Sequence, residues 1–175
     1  MKRPALYRQP SPLGDLLLAA TSSGLCLVSF EQAELERLES RLGQRASFSP
    51  VTMRPFVAEL EAYFRGDRRS FTLPLDLVYA SEFARRVLVF LRAVPFGELI
   101  TYGGLARQAR TSPRAVGVAV ARNPVAIVVP CHRVIGTSGS LVGYSAGLER
   151  KRWLLEFEGS LFAGDLRNTS AASLG

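Results

Sequence analysis

The sequence predicts an α+β/α protein built as two units. A small antiparallel sheet with helices is expected over residues 1–80, and a helical unit carrying a helix-turn-helix pattern over residues 81–159. Three observations point there. Short apolar runs punctuated by turn residues open the chain, amphipathic helical patterns with start and stop signals fill much of the rest, and the charge balance changes between the two parts. With 175 residues, 47% of them hydrophobic, the chain can bury a core in one medium domain or two small ones.

In the first unit, "ALYRQP", "GDLLLAAT" and "GLCLVSF" read as strands, with Thr21-Ser22-Ser23-Gly24 as the hairpin turn between the last two. "AELERLESRL" sets Leu35, Leu38 and Leu42 on one helical face, and Gly43 ends it. "RPFVAELEAYFRG" is a second amphipathic helix stopped by Gly66, after which "FTLPLDL" runs extended. Cys26, inside an apolar strand pattern, reads most simply as a small buried hydrophobe.

The second unit begins near Ser81. "SEFARRVLVFLRAV" has an N-cap serine and places Phe83, Val87, Leu88 and Leu91 at helical spacing, while Pro95 forbids continuation. "LITYGGLARQA" predicts a short helix from about Tyr102. "TSPRAVGVAVARNP" predicts another, with Ser112 as N-cap and Pro113 at its first position. Val116, Ala119 and Val120 form its apolar stripe. Arg114, Gly117, Val118, Ala121 and Arg122 lie towards the other side. Two short helices joined by a tight turn make a helix-turn-helix candidate.

Charge separates the units further. The formal net charge is +7, and Lys2 and Lys151 are the only lysines. A GC-rich coding sequence is one reading of the arginine bias, but the placement says more. Residues 1–80 carry ten basic and nine acidic side chains, and residues 81–175 carry twelve and six. Between Glu98 and Glu149 there is no acid, whereas Arg107, Arg110, Arg114, Arg122 and Arg133 all fall inside. Such a stretch suits phosphates. On the exposed side of the "SPRAVGVAVAR" helix, small Gly117 and Ala121 stand between arginines. They allow either close approach to a nucleic acid or close packing on a neighbouring helix, and the basic surroundings favour the nucleic acid.

Within the same stretch lies "AIVVPCHRVIG", holding Cys131 and the only histidine, His132. Cys26, Cys131 and His132 are the whole supply of soft ligands, with no CxxC, so no metal is expected. The opening residues lack a sustained apolar leader and no run reaches the length of a membrane span. With two cysteines, the expectation is a cytoplasmic protein in a reducing compartment. "AIVV" reads as a buried strand that Pro130 ends, so the Cys131 thiol would emerge at a strand end. Neighbours on a strand point apart, so His132 would need the proline turn or a relay to activate Cys131. A buried inert cysteine beside an incidental histidine is the other reading.

"PCHRV", preceded by "TYGGLA" and "RAVGVAVARNP" and followed by "GSLVGYSAGLERKRWLLEFEG", resembles the O6-alkylguanine-DNA alkyltransferases from about Phe83 to Gly159, with a looser fit before that. The resemblance implies a ribonuclease-H-like first unit and a winged helix-turn-helix-like second one. It implies that Cys131 accepts the alkyl group from guanine O6 of double-stranded DNA, once and irreversibly, without a cofactor. His132 would be the base, through a bound water, and Glu158 would orient it. Asn123 would be the hinge between recognition helix and active-site turn. Arg114 would fill the stack left by the flipped nucleotide, and Tyr102 would crowd the adjacent phosphate and reach the base. The carbonyls of Val134 and Cys131 would accept from the guanine amino group, and the Ser145 amide would stabilise the departing O6. Tyr144 and Pro130 would wall the pocket, with Val142 at its rim. Arg114, Ala115, Gly117, Ala121 and Arg122 would form the surface in the minor groove. The protein is expected to act as a monomer, with cooperativity along DNA left open.

The zinc-binding set that some relatives carry in the first unit is not matched. A lesion-binding module without transfer, a helix-turn-helix transcription factor and a cysteine hydrolase are the competing functions. Cys131 counts against the first. No dimer interface or base-reading set supports the second, and no oxyanion-loop signature supports the third. The small, polar tail over residues 160–175 is expected to be disordered.

Overall fold

Six strands and six α-helices emerge in a computed structural model that describes residues 3–77 and 79–160. The expectation of disorder covers residues 160–175, of which 161–175 lie outside the described residues, whereas Ser160 is ordered, its amide bonded to the Leu155 carbonyl. Two compact units are present. The first comprises the chain up to Arg85 together with Pro124–Val128, and the second comprises Arg86–Asn123 and the chain from Val129.

The first unit is a sheet of order β3-β2-β1-β4 with β1 at Ala5–Gln9, β2 at Leu16–Thr21, β3 at Gly24–Ser29 and β4 at Ser47–Phe48. β1–β2 and β2–β3 are antiparallel, but β4 joins β1 in parallel, so the sheet is mixed rather than antiparallel throughout. The polar "ASFS" stretch gives no strand signal. Only the tertiary return of the chain after α1 (Gln32–Leu42) brings the Ser47 amide to the Pro4 carbonyl. β2 and β3 are buried on both faces, which accounts for their continuous apolar runs. α1 packs on β3 and α2 (Pro50–Phe64) on β1. Leu17, Ala19, Cys26, Leu27, Leu35 and Leu38 form one cluster of this core.

α2 starts earlier than its apolar pattern suggests. Pro50 occupies its first turn and Pro55 lies inside it. Pro55 has no N–H for the Val51 carbonyl, but Val51 is 80% exposed, so water can serve that carbonyl.

"AIVV" is not a strand. Val125 makes an isolated parallel bridge to Val28, and Ile127 has φ 71°, left-handed, which breaks any pleat. For a buried β-branched residue this conformation is costly, and the surrounding core must impose it.

α3 spans Glu82–Arg92, beginning in the first unit and ending in the second, which also holds α4 at Tyr102–Gln108, α5 at Pro113–Ala121 and α6 at Leu148–Phe157. The predicted caps form. Ser81 Oγ accepts from the Ala84 amide at 3.1 Å and Ser112 Oγ from Ala115 at 3.2 Å. Thr101 Oγ1 caps α4 at Gly104. β5 (Ile100–Thr101) and β6 (Val134–Ile135) pair in parallel, which sets Tyr102 beside the chain that follows Cys131. Among the described residues no helix is long and apolar enough to cross a membrane.

Ser112→Ala removes the α5 cap and should lower unfolding free energy by about 1 kcal/mol, measured by urea denaturation. An unchanged midpoint would mean that tertiary packing alone holds the start of α5.

Candidate active site

The chain makes a single 3₁₀ turn at Cys131–Arg133, with Pro130 before it and the Arg133 amide bonded to the Pro130 carbonyl. This turn, not a strand end, presents Cys131. Its direction is held from the C-terminal end of α5, because Asn123 Nδ2 donates to the Val129 carbonyl at 2.8 Å.

α6 closes the site from the other side. Lys151, Leu154, Leu155 and Glu158 recur at i, i+3, i+4 and i+7 and form its buried stripe, so two charges stand at the ends of an apolar face. His132 Nε2 and Glu158 Oε1 are 2.8 Å apart, both fully buried. Arg133 grips the same carboxylate with two N–H donors, Nε to Oε2 and Nη2 to Oε1, each at 2.8 Å, and spends Nη1 on the Val94 carbonyl at 2.5 Å. The Gly97 amide adds a long contact to Oε2 at 3.4 Å. Burial opposes ionisation of Glu158, yet the bonds from His132 and Arg133 outweigh it and hold the carboxyl far below the usual range.

Burial lowers the His132 pKa, and the nearby Arg133 and Lys151 charges lower it further against the pull of Glu158. The ring is therefore neutral at pH 7, with Nε2–H donating to the Glu158 carboxylate. Nδ1 is buried with no hydrogen-bond partner, as is the Tyr144 hydroxyl. Two unsatisfied polar atoms in one site are groups held ready for a ligand.

Burial pushes the Cys131 thiol up. The Asn123 side chain, the Lys151 charge and the backbone amides of Cys131 and His132 act against that push. At Cys26 only two backbone hydrogen bonds oppose the push, and burial with the Asp76 charge drives it to about 12. Lys151 is fully buried, with Nζ donating to the carbonyls of Val134 at 2.5 Å and Val142 at 2.7 Å. Burial brings its pKa down to about 8, and Cys131 pulls the other way. Tyr102 Oη lies 3.5 Å from the Val142 and Gly143 carbonyls. Gly143 must be glycine there, because its φ is 61° and a Cβ would stand 2.9 Å from Tyr102 Oη.

Two family models match this chain. One, described as 6-O-methylguanine DNA methyltransferase, DNA binding domain, covers residues 82–160. The other, described as the ribonuclease-like domain of the same proteins, covers residues 4–77. The chain belongs to the 6-O-methylguanine DNA methyltransferase family. Relatives named methylated-DNA–protein-cysteine methyltransferase agree. That of Mycobacterium leprae is 43% identical over 85% of this chain and 88% of its own, and that of Methanosarcina acetivorans is 42% identical over 86% and 95%. The crystal structure of Mycobacterium tuberculosis OGT in complex with DNA is 40% identical, with TM-score 0.77 over 93% of this chain and 97% of that one.

Cys131, His132, Glu158, Asn123, Tyr102 and Tyr144 come together in this family member, with Pro130 and Val134 buried beside them. Ser145 and Val142 lie exposed at the edge. Arg114, Ala121 and Arg122 are exposed on α5, with Ala115 and Gly117 half-buried. Among the described residues, no group of three or more His, Cys, Asp or Glu is placed to hold a metal.

Two residues escaped the sequence reading. Arg133 had been counted with the phosphate-facing arginines, but it is buried and neutralised by Glu158. Lys151 did leave a signal. In a chain that uses arginine for surface charge, a lysine on the apolar stripe of α6 marks a buried amine.

Stability should fall in two stages on acidification. The unfolded chain protonates His132 below about pH 6.5, whereas the folded ring resists protonation. The folded Glu158 stays ionised while its unfolded counterpart takes a proton below about pH 4.5, so its contribution is complete above that pH and lost progressively below it. Glu158→Gln should remove the second stage and lower stability at pH 7 by about 3–5 kcal/mol, because Arg133 is left buried and unpaired. Denaturation midpoints across pH measure both.

Proposed function

We propose that the protein performs direct-reversal repair of DNA. It binds double-stranded DNA, takes an O6-alkylated guanine out of the stack, and moves the alkyl group to its own Cys131. The observation that carries this is a cysteine seated beside an unprotonated, unpartnered His132 Nδ1, in a chain of this family. Of the two cysteines, Cys131 alone has a side-chain hydrogen bond and a cation that favour the thiolate.

Glu158 holds the Nε2 proton, so Nδ1 takes the thiol proton by way of one water molecule. Asn123, Lys151 and two backbone amides stabilise the thiolate as it forms. As the Sγ–C bond forms, the C–O6 bond breaks, and guanine leaves as an anion that regains a proton. Tyr144 and Pro130 wall the base. Free lone pairs on the Val134 and Cys131 carbonyls accept from its amino group, and the Ser145 amide meets O6. The resulting thioether has no leaving group, so each molecule acts once and needs no cofactor.

DNA binding rests on α4 and α5. In the first unit Arg8, Arg37, Arg65 and Arg68 pair with Asp15, Glu34, Asp67 and Glu59. Arg107, Arg110, Arg114 and Arg122 are exposed and make no side-chain hydrogen bond or ion pair. Unpaired arginines suit phosphates, and Arg114 fills the gap left by the flipped base. A Cβ on Gly117 would meet only Tyr102 Cε1, at 4.0 Å, so internal packing does not require glycine there. Its smallness serves a close approach to the minor groove, with Ala115 and Ala121 beside it. On this reading the protein works as a monomer in the cytoplasm, at the nucleoid when bound to DNA.

Intact-protein mass after mixing with a duplex carrying O6-methylguanine should show one added methyl, mapped to Cys131 and absent from Cys131→Ala. Binding without a mass gain would leave a lesion-recognition module instead. Gly117→Leu should keep the fold while weakening duplex binding by about tenfold, a loss of about 1.4 kcal/mol, read by fluorescence anisotropy. Wild-type affinity would remove α5 from the DNA surface. Val142, 42% exposed at the rim, should slow bulky substrates. Val142→Gly should react faster with O6-benzylguanine, and equal rates would exclude that steric role.

A further inference from the structure

Four helices among the described residues end in the same way. After α1, α2, α4 and α6 a residue turns left-handed, and the amide that follows it reaches back five residues. Gln44 bonds the Glu39 carbonyl, Asp67 that of Ala62, Thr111 that of Ala106 and Ser160 that of Leu155. The left-handed residue is Gly43, Gly66 and Gly159 in three of them, with φ 65°, 81° and 75°. In the fourth it is Arg110, with φ 52°. Glycine is the relaxed choice at this position, and a side chain there strains the backbone. The exception falls at the turn between the two helices assigned above to DNA.

Nothing inside the fold accounts for the arginine. Its side chain is exposed and makes no hydrogen bond or ion pair. No acid occurs in the sequence between Glu98 and Glu149, and Arg107 and Arg114, one turn to either side, are unpaired as well. Strain retained where it could be relieved by the residue used elsewhere in the same chain points to a task outside the fold.

We propose that Arg110 is a phosphate anchor: the α4–α5 turn accepts backbone strain to hold a guanidinium against the DNA backbone next to the groove that α5 enters. This rests on the DNA-binding reading above. The contact carries charge but no sequence information, so it strengthens binding to damaged and undamaged duplexes alike.

The test uses the full chain, a short undamaged duplex and three variants. Arg110→Gly relieves the strain and removes the charge. Its Tm should rise, its affinity should fall about fivefold near physiological salt, and the slope of log K against log salt should flatten by about 0.9, one phosphate's worth. Arg110→Ala should weaken binding equally without the gain in Tm. Arg110→Lys should keep the wild-type slope. Wild-type affinity and slope in Arg110→Gly would overturn the proposal while leaving DNA binding by α5 intact. A lower Tm in that variant would also overturn it, by assigning the side chain a role within the fold. A wild-type protein that binds without salt dependence would remove the DNA reading itself.

Discussion

A carboxylate that is never seen by water organises the second unit. Burying Glu158 is favourable only if its lone pairs are filled and its charge is answered, and the fold commits Arg133 and His132 to that task. Arg133 fits because its planar fork offers two parallel donors to one carboxylate with a third left for the Val94 carbonyl. The pair brings little net stability by itself, since desolvation opposes the attraction. What it secures is geometry. One imidazole nitrogen is consumed by a permanent anion, so the other can only be the free base, and the 3₁₀ turn that bears His132 and Arg133 also bears Cys131.

The same low-dielectric setting creates a tension that suits a protein used once. A thiol whose pKa is raised by burial is protonated and inert towards stray electrophiles. On the proposed mechanism its activation draws on groups fixed in place beforehand: Asn123, Lys151, the backbone amides and neutral His132. Lys151 carries two functions here. It bonds the Val134 and Val142 carbonyls, on either side of the loop that rims the site, and its charge favours the thiolate.

Charge is partitioned with equal economy. Four arginines of the first unit, Arg8, Arg37, Arg65 and Arg68, sit beside acids, and Arg133 is consumed internally, so part of the high formal charge is answered within the fold. Four guanidiniums without a partner, those of Arg107, Arg110, Arg114 and Arg122, lie on or beside α4 and α5, with small Gly117 and Ala121 on α5. Affinity from phosphates with little base reading is the appropriate design for a protein whose target is a lesion in any sequence.

Much was legible in the chain itself. Three long strands, the caps at Ser81 and Ser112, the glycine stops and the helix-turn-helix pattern are local matters, governed by side-chain periodicity and by which residues tolerate a given backbone angle. The motif around Cys131 was legible too, because its residues lie close together in sequence. Tertiary structure decided the rest. The parallel addition of β4 depends on where a polar segment returns, which no propensity records. "AIVV" looks like a strand because burial and pairing both select apolar residues, yet the core holds Ile127 left-handed and leaves only isolated bridges. The roles of Arg133 and Lys151 turned on burial. An arginine in a basic run and a lysine in a helix have the same charge in any sequence, and only the distance to Glu158 or to two carbonyls determines whether that charge faces water or a buried partner.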